Sequence, residues 1–198
     1  MFWDKVAPLY DFFEDLINHK VYSGTGQWIT GEISSDDAVL ECASGTGAIT
    51  KYIAPVCSKL VATDMSKKML MQNEKNCRGY DNVKFRYADI MHLKCPDGSF
   101  DKVIAGNVIH LLDEPELAVK ELCRACKTGG KVIIPTYIND KGGKLSISAR
   151  FLEMIGLRFT REFSEESYRE FFRNAGYDNV RFHIVEGNMP CMIAVISK

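Results

Sequence analysis

Apolar and polar positions change their period along this chain. Val6, Leu9, Tyr10, Phe13, Leu16 and Ile17 recur at helical spacing, which predicts an amphipathic helix with one face turned to a core. Ser23, Gly24, Thr25 and Gly26 are expected to break it, giving a helical cap over residues 1–35. From Ala38 onward the pattern alternates. Short apolar runs at 38–42, 59–64, 83–87, 100–107 and 131–137 read as strands, with helical stretches between several of them. That alternation predicts a parallel sheet covered on both faces. Ser66 offers an N-cap to a helix carrying Met69 and Leu70. Asp113, Glu114 and Pro115 open a helix that buries Ala118, Leu122 and Ala125 and is expected to stop at Gly129 and Gly130. Ser164 caps a later one, Phe163 and Tyr168 form a hydrophobic staple, and Gly176 closes it. The final runs, 180–186 and 191–196, are separated only by Gly187, Asn188, Met189 and Pro190. So short a link joins antiparallel neighbours, because a parallel pair needs a crossover of a dozen or more residues. Seven strands, mostly parallel with an antiparallel one at the C-terminal end, are therefore expected in a single domain over 1–198. The stretch 138–163 stands outside the alternation, with Gly142 and Gly143 near its start and Phe151, Leu152, Ile155 and Phe159 within it.

Composition narrows the class of protein. With 198 residues, 46% of them hydrophobic, the chain can bury one substantial core. Twenty-five basic against 26 acidic residues give a net charge of −1, which argues against nucleic acid as a partner. The sequence shows neither a run of about 18 apolar residues nor a signal-peptide pattern; a cytoplasmic protein without stable membrane insertion is expected. Seven cysteines, an odd number, suit a reducing compartment. Cys123 and Cys126 have metal-like spacing, but no second pair of ligands accompanies them, so no metal site is expected.

Candidate chemistry gathers at strand ends. The first strand carries Glu41 and runs into the tight turn Ala43-Ser44-Gly45-Thr46-Gly47-Ala48. A dinucleotide turn wants G-x-G-x-x-G. Counted from Gly45, the third glycine is replaced by Thr50; counted from Ala43, the first is missing. The second strand ends at Asp64, roughly 20 residues beyond the turn, the offset at which a carboxylate takes ribose hydroxyls in nucleoside-binding βαβ units. Asp89 follows the third strand, where it could instead cap a turn. Asn107 and His110 follow the fourth, and His110, between Ile109 and Leu111, reads equally as a packed core residue.

The form E-x-A-x-G-x-G beginning at Glu41 resembles motif I of the class I S-adenosylmethionine-dependent methyltransferases, with Ala43 at the usual first glycine. Alanine keeps the site small but is expected to lose access to positive φ. Taken with Asp64, Asp89 and the exit at Asn107, nearly the whole chain from about Trp3 is similar to a minimal member of that family, close in style to its small-molecule and quinone-biosynthesis branch. The resemblance implies a Rossmann-like three-layer α/β sandwich and S-adenosylmethionine as cofactor. It implies that Glu41, Ala43, Ser44, Gly45 and Gly47 bind the cofactor, the two glycines leaving space for its methionine moiety, that Asp64 holds the ribose, and that Asp89 meets the adenine amine between Ile90 and Met65. It puts Asn107 beside the transferred methyl, with His110 a candidate general base. In related enzymes an N-terminal helix and an insertion after the fifth strand, here 138–163, shape the acceptor pocket, and Tyr10 could face the sulfonium. The activity implied is in-line methyl transfer to a small, partly apolar acceptor, with phospholipid-headgroup and quinone-ring methylation as plausible branches. Asn107-Val108-Ile109-His110 stands where amino-methylating enzymes often carry Asn/Asp-Pro-Pro-aromatic, which argues against DNA-adenine and protein-glutamine acceptors. The alternatives are a non-catalytic S-adenosylmethionine-binding module and an NAD-dependent oxidoreductase. Oligomeric state is not specified.

Overall fold

The computed structural model describes residues 2–139 and 160–198, and within the first helix it describes the side chains of Trp3 and Asp4 and of Asn18 onward. The side chain of Tyr10 and most of the 138–163 insertion, including the Gly142–143 pair, lie outside the described residues.

The chain forms α1 (Phe2–Thr30), β1 (Ala38–Cys42), α2 (Thr50–Ile53), β2 (Lys59–Asp64), α3 (Lys67–Asn76), β3 (Val83–Tyr87), β4 (Phe100–Ala105), α4 (Pro115–Ala125), β5 (Cys126–Tyr137), α5 (Glu165–Asn174), β6 (Val180–Val185) and β7 (Cys191–Ser197). The strands make one seven-stranded sheet in the order β3-β2-β1-β4-β5-β7-β6. Pairings from β3 through β5 are parallel, and β7 runs antiparallel to both β5 and β6. The expected α/β fold with one antiparallel C-terminal strand is what forms.

Period-2 alternation splits the apolar side chains of this sheet into two buried groups. On one side Val39, Ile104 and Ile133 meet Val21 and Ile29 of α1 and Ile53 of α2. On the other, Leu40, Val103, Val132 and Ile134 meet Ala118 and Leu122 of α4 and Tyr168 and Phe172 of α5. Tyr168 is wholly buried, and its hydroxyl donates to the Ile134 carbonyl at 2.8 Å, so no polar group is stranded there. The expected caps form locally. Ser66 accepts from Met69 N, Ser164 and Ser167 make a capping box, and the Phe163 and Tyr168 rings lie 5.0 Å apart.

Two expectations are corrected. The helix break falls at Asn18 (φ −145°, ψ 28°), not at residues 23–26. Asn18 there donates its side-chain amide to the Met189 carbonyl at 2.9 Å, an alternative to helical bonding supplied by the far end of the chain. Gly24 and Gly26 lie inside the helix because neighbours crowd them: a Cβ would meet Val185 at Gly24 and the Tyr52 ring at Gly26. Their role is close packing, not termination. The second correction is at α4, which ends at Ala125 instead of Gly129–130. Cys126 already pairs with Phe100, and the register slips before Lys131 meets Lys102. No helix among the described residues is long and apolar enough to cross a membrane.

Candidate active site

Sheet order reverses between β1 and β4, so the connections leaving their carboxyl ends diverge to opposite faces and open a crevice. A cavity of about 420 Å³ occupies that place, within the range of small-ligand sites.

Its floor is the turn after β1. Ala43, Gly45 and Gly47 all have positive φ, at 52°, 54° and 100°. Contrary to expectation, Ala43 does adopt the left-handed region, at a cost of about 1 kcal/mol. Backbone bonds from Ser44 N to Thr63 O (2.9 Å) and from Gly47 N to Ser44 O (3.0 Å) hold it there. Gly45 lines the cavity, and a Cβ on it would meet nothing within 4 Å, so its face is open to a ligand. Gly47 is not among the cavity's lining residues; a side chain there would strike Asn73 and Cys77 of the protein itself.

The acids stand around this floor. Glu41 is buried and accepts from Thr50 Oγ1 at 2.7 Å; burial first, and then the neighbouring Asp64 charge, push its carboxyl up to about 8. Asp64 accepts from Gly45 N at 2.9 Å and Ser66 N at 2.8 Å, and burial raises it despite those bonds. Asp89 accepts from Met91 N at 2.9 Å while also lining the cavity, so it caps its own turn and still faces a ligand. Ala43, Ser44, Met65, Ile90 and Asn107 line the same space, Asn107 with φ 50°. Glu41, Ala43, Ser44, Gly45, Asp64, Met65, Asp89, Ile90 and Asn107 are thus brought together.

His110 is not among them. It is 3% exposed, bonds through Nδ1 to Thr136 Oγ1 at 3.0 Å, and burial pulls it down to about 4. At neutral pH it is an uncharged imidazole packed below the site.

Trp3 and Tyr22 of α1, Met69 of α3, and Leu111, Leu112, Asp113 and Glu114 also line the cavity, none of them expected from sequence. Trp3 is placed by its neighbour Asp4, which accepts from Ser66 Oγ at 2.7 Å and fastens the start of α1 to α3. The carboxyl-bearing lining residues are Glu41, Asp64, Asp89, Asp113 and Glu114; among the described lining residues there is no lysine, arginine or histidine. Such a cavity disfavours the pyrophosphate of a dinucleotide and suits a ligand carrying a sulfonium and an ammonium. The open Gly45 face, the strand-end carboxylates and the apolar Ile90 and Met65 fit S-adenosylmethionine.

Comparison with known proteins agrees. A family model described as "Methyltransferase domain" matches residues 40–134. The demethylmenaquinone methyltransferase of Clavibacter sepedonicus is 34% identical over 135 residues, covering 67% of this chain and 55% of that protein. The enzyme of the same name from Bacillus licheniformis is 25% identical over 212 residues, covering 94% of this chain and 91% of that one. In structure, a putative S-adenosyl-L-methionine-dependent methyltransferase from Methanococcus maripaludis superposes with a TM-score of 0.73 at 21% identity, covering 100% of this chain and 94% of that chain. This likeness shows the fold.

Proposed function

Because the chain belongs to the class I S-adenosylmethionine-dependent methyltransferases, we propose that it moves the cofactor's methyl group by in-line displacement onto a small, partly apolar acceptor of the quinone-ring kind. The observation that carries this reading is the set of carboxyl groups, with no basic side chain among the described lining residues, around an open-faced glycine turn at the sheet's switch point. When bound, S-adenosylmethionine supplies a methyl group already activated by its positive sulfur. The protein's task is then to orient and to exclude water. Asp64 is read as accepting from the ribose hydroxyls, with Gly45 N and Ser66 N keeping its carboxylate aimed. Asp89 is read as meeting the adenine amine, with Ile90 and Met65 against the base. Glu41, Ser44 and Asn107 remain for the amino-acid end. Trp3 and Tyr22 wall the cavity against water, and Val108, Leu111 and Leu112 offer apolar surface.

A quinone-type acceptor is supported by the demethylmenaquinone methyltransferases among the relatives and by that apolar surface. His110 does not line the cavity and is buried against Thr136, so it is assigned no catalytic step. A nucleophile that is already an anion, such as a hydroquinone ring with a deprotonated hydroxyl, needs no base from it. Calorimetric titration with S-adenosylmethionine, S-adenosylhomocysteine and NAD tests the cofactor. S-adenosylhomocysteine release across hydroquinone, phenol and amine acceptors tests the reaction. Tight NAD binding without S-adenosylhomocysteine binding would overturn the reading, and turnover of amines alone would overturn the acceptor class.

A further inference from the structure

One buried group beneath the cavity has no part in the assignments above. Asn73, in α3, is fully buried, and its amide nitrogen donates to Ser44 Oγ at 3.0 Å and to Thr50 Oγ1 at 2.9 Å. Thr50 in turn donates to Glu41 at 2.7 Å. One side chain from the helix after β2 thus grips both ends of the turn after β1. It fits there because position 47 is glycine: the Asn73 oxygen occupies the space a Cβ would need.

The direction of these bonds has a chemical consequence. An amide nitrogen can only donate, so the Ser44 oxygen is used as an acceptor toward Asn73. The Ser44 proton is left for another partner, and Ser44 lines the cavity. Asp64 marks the ribose end and Asp89 the base end, so Ser44, beside Glu41, faces the amino-acid end of the ligand. We propose that Asn73 is a positioning residue that holds the Ser44 hydroxyl as a hydrogen-bond donor to the α-carboxylate of the bound cofactor. The neighbouring Glu41, held neutral over much of the physiological range, does not repel that carboxylate. This inference rests on the cofactor orientation given under the proposed function.

The test compares two ligands by calorimetry. S-adenosylhomocysteine has the amino-acid end; 5′-methylthioadenosine shares the base, ribose and thioether but lacks it. Ser44→Ala and Asn73→Ala should each weaken S-adenosylhomocysteine by about tenfold, as for loss of one hydrogen bond to a charged group. Each should leave 5′-methylthioadenosine within about twofold of wild type, and the double variant should be no weaker than either single one. If Asn73→Ala does not fold, Asn73→Leu fills much of the same space without the donors. Equal weakening of both ligands by the Asn73 variant would make Asn73 a packing residue and overturn the inference. Unchanged S-adenosylhomocysteine affinity in Ser44→Ala would overturn it as well. Wild-type protein that binds neither ligand would instead overturn the cofactor reading.

Discussion

Glu41 and His110 are both fully buried, and burial moves them in opposite directions. From 4.5 up to about 8 the folded chain keeps a proton on Glu41 that the unfolded chain has released, so raising the pH favours unfolding. His110 works the other way: between about 4 and 6.5 the unfolded chain binds the extra proton, so raising the pH favours folding. The two oppose below 6.5, and above it Glu41 acts without that opposition. The ligand-free protein is therefore expected to lose melting temperature from pH 6.5 to 8, and Glu41→Gln, which keeps a neutral acceptor for Thr50, should flatten that slope. Melting curves across the range check it; an unchanged slope in the variant would mean that Glu41 is ionised in the folded chain. At Asp64, replacement by Asn leaves one acceptor oxygen for two backbone donors. Asp64→Asn should weaken S-adenosylhomocysteine binding by about 1.5–3 kcal/mol and lower the melting temperature too. Equal affinity in variant and wild type would remove Asp64 from the ribose site.

Among the elements, those set by local chemistry were legible in the sequence and those set by distant partners were not. Ser66, Ser164 and Gly176 mark helix ends through bonds and backbone angles within a few residues, and all three do so as expected. Asp64 and Asp89 stand at strand ends because period-2 runs stop there. The break in α1 was misplaced because its partner, the Met189 carbonyl, is 171 positions away. The same distance hid Trp3 and Tyr22, which reach the cavity only because α1 runs on past Asn18 and is fastened to α3 through Asp4. His110 looked like a candidate base beside Asn107, and nothing local says that Thr136 on β5 bonds it below the site. Gly26 offers a test of the packing account. By helix propensity alone Gly26→Ala would stabilise α1 by roughly 1 kcal/mol, whereas the Tyr52 ring leaves no room for the new methyl. Overpacking of about 1–3 kcal/mol should win, so denaturant titration is expected to show net destabilisation, relieved when Tyr52→Ala is added. Stabilisation by Gly26→Ala alone would show that α1 and α2 are not in close contact there.

For the molecule as a whole, the sheet's order of strands puts the carboxyl ends of β1 and β4 at one crevice, and Trp3 and Tyr22 of α1 wall it. Ties from α1 and the turn after it hold that wall to the sheet: Asn18 of α1 reaches Met189 in the β6–β7 link, and Glu32 just beyond α1 accepts from Arg181 at 2.6 Å and from Lys131 at 2.8 Å. Those two pairs and burial act on Glu32 in opposite senses, and the pairs hold its carboxyl below the ordinary range. A ligand touching α1, the turn after β1 and the tips of β2 and β4 together should stabilise the whole fold, since it binds the folded chain alone. At a hundredfold excess over its dissociation constant the gain is about 2.7 kcal/mol, which for a chain of this size raises the melting temperature by roughly 5–10 °C. S-adenosylhomocysteine should produce that rise in a concentration-dependent way. NAD, whose pyrophosphate would face the acids lining the cavity, should leave the transition where it was. A rise with NAD equal to that with S-adenosylhomocysteine would mean that charge does not select the ligand here.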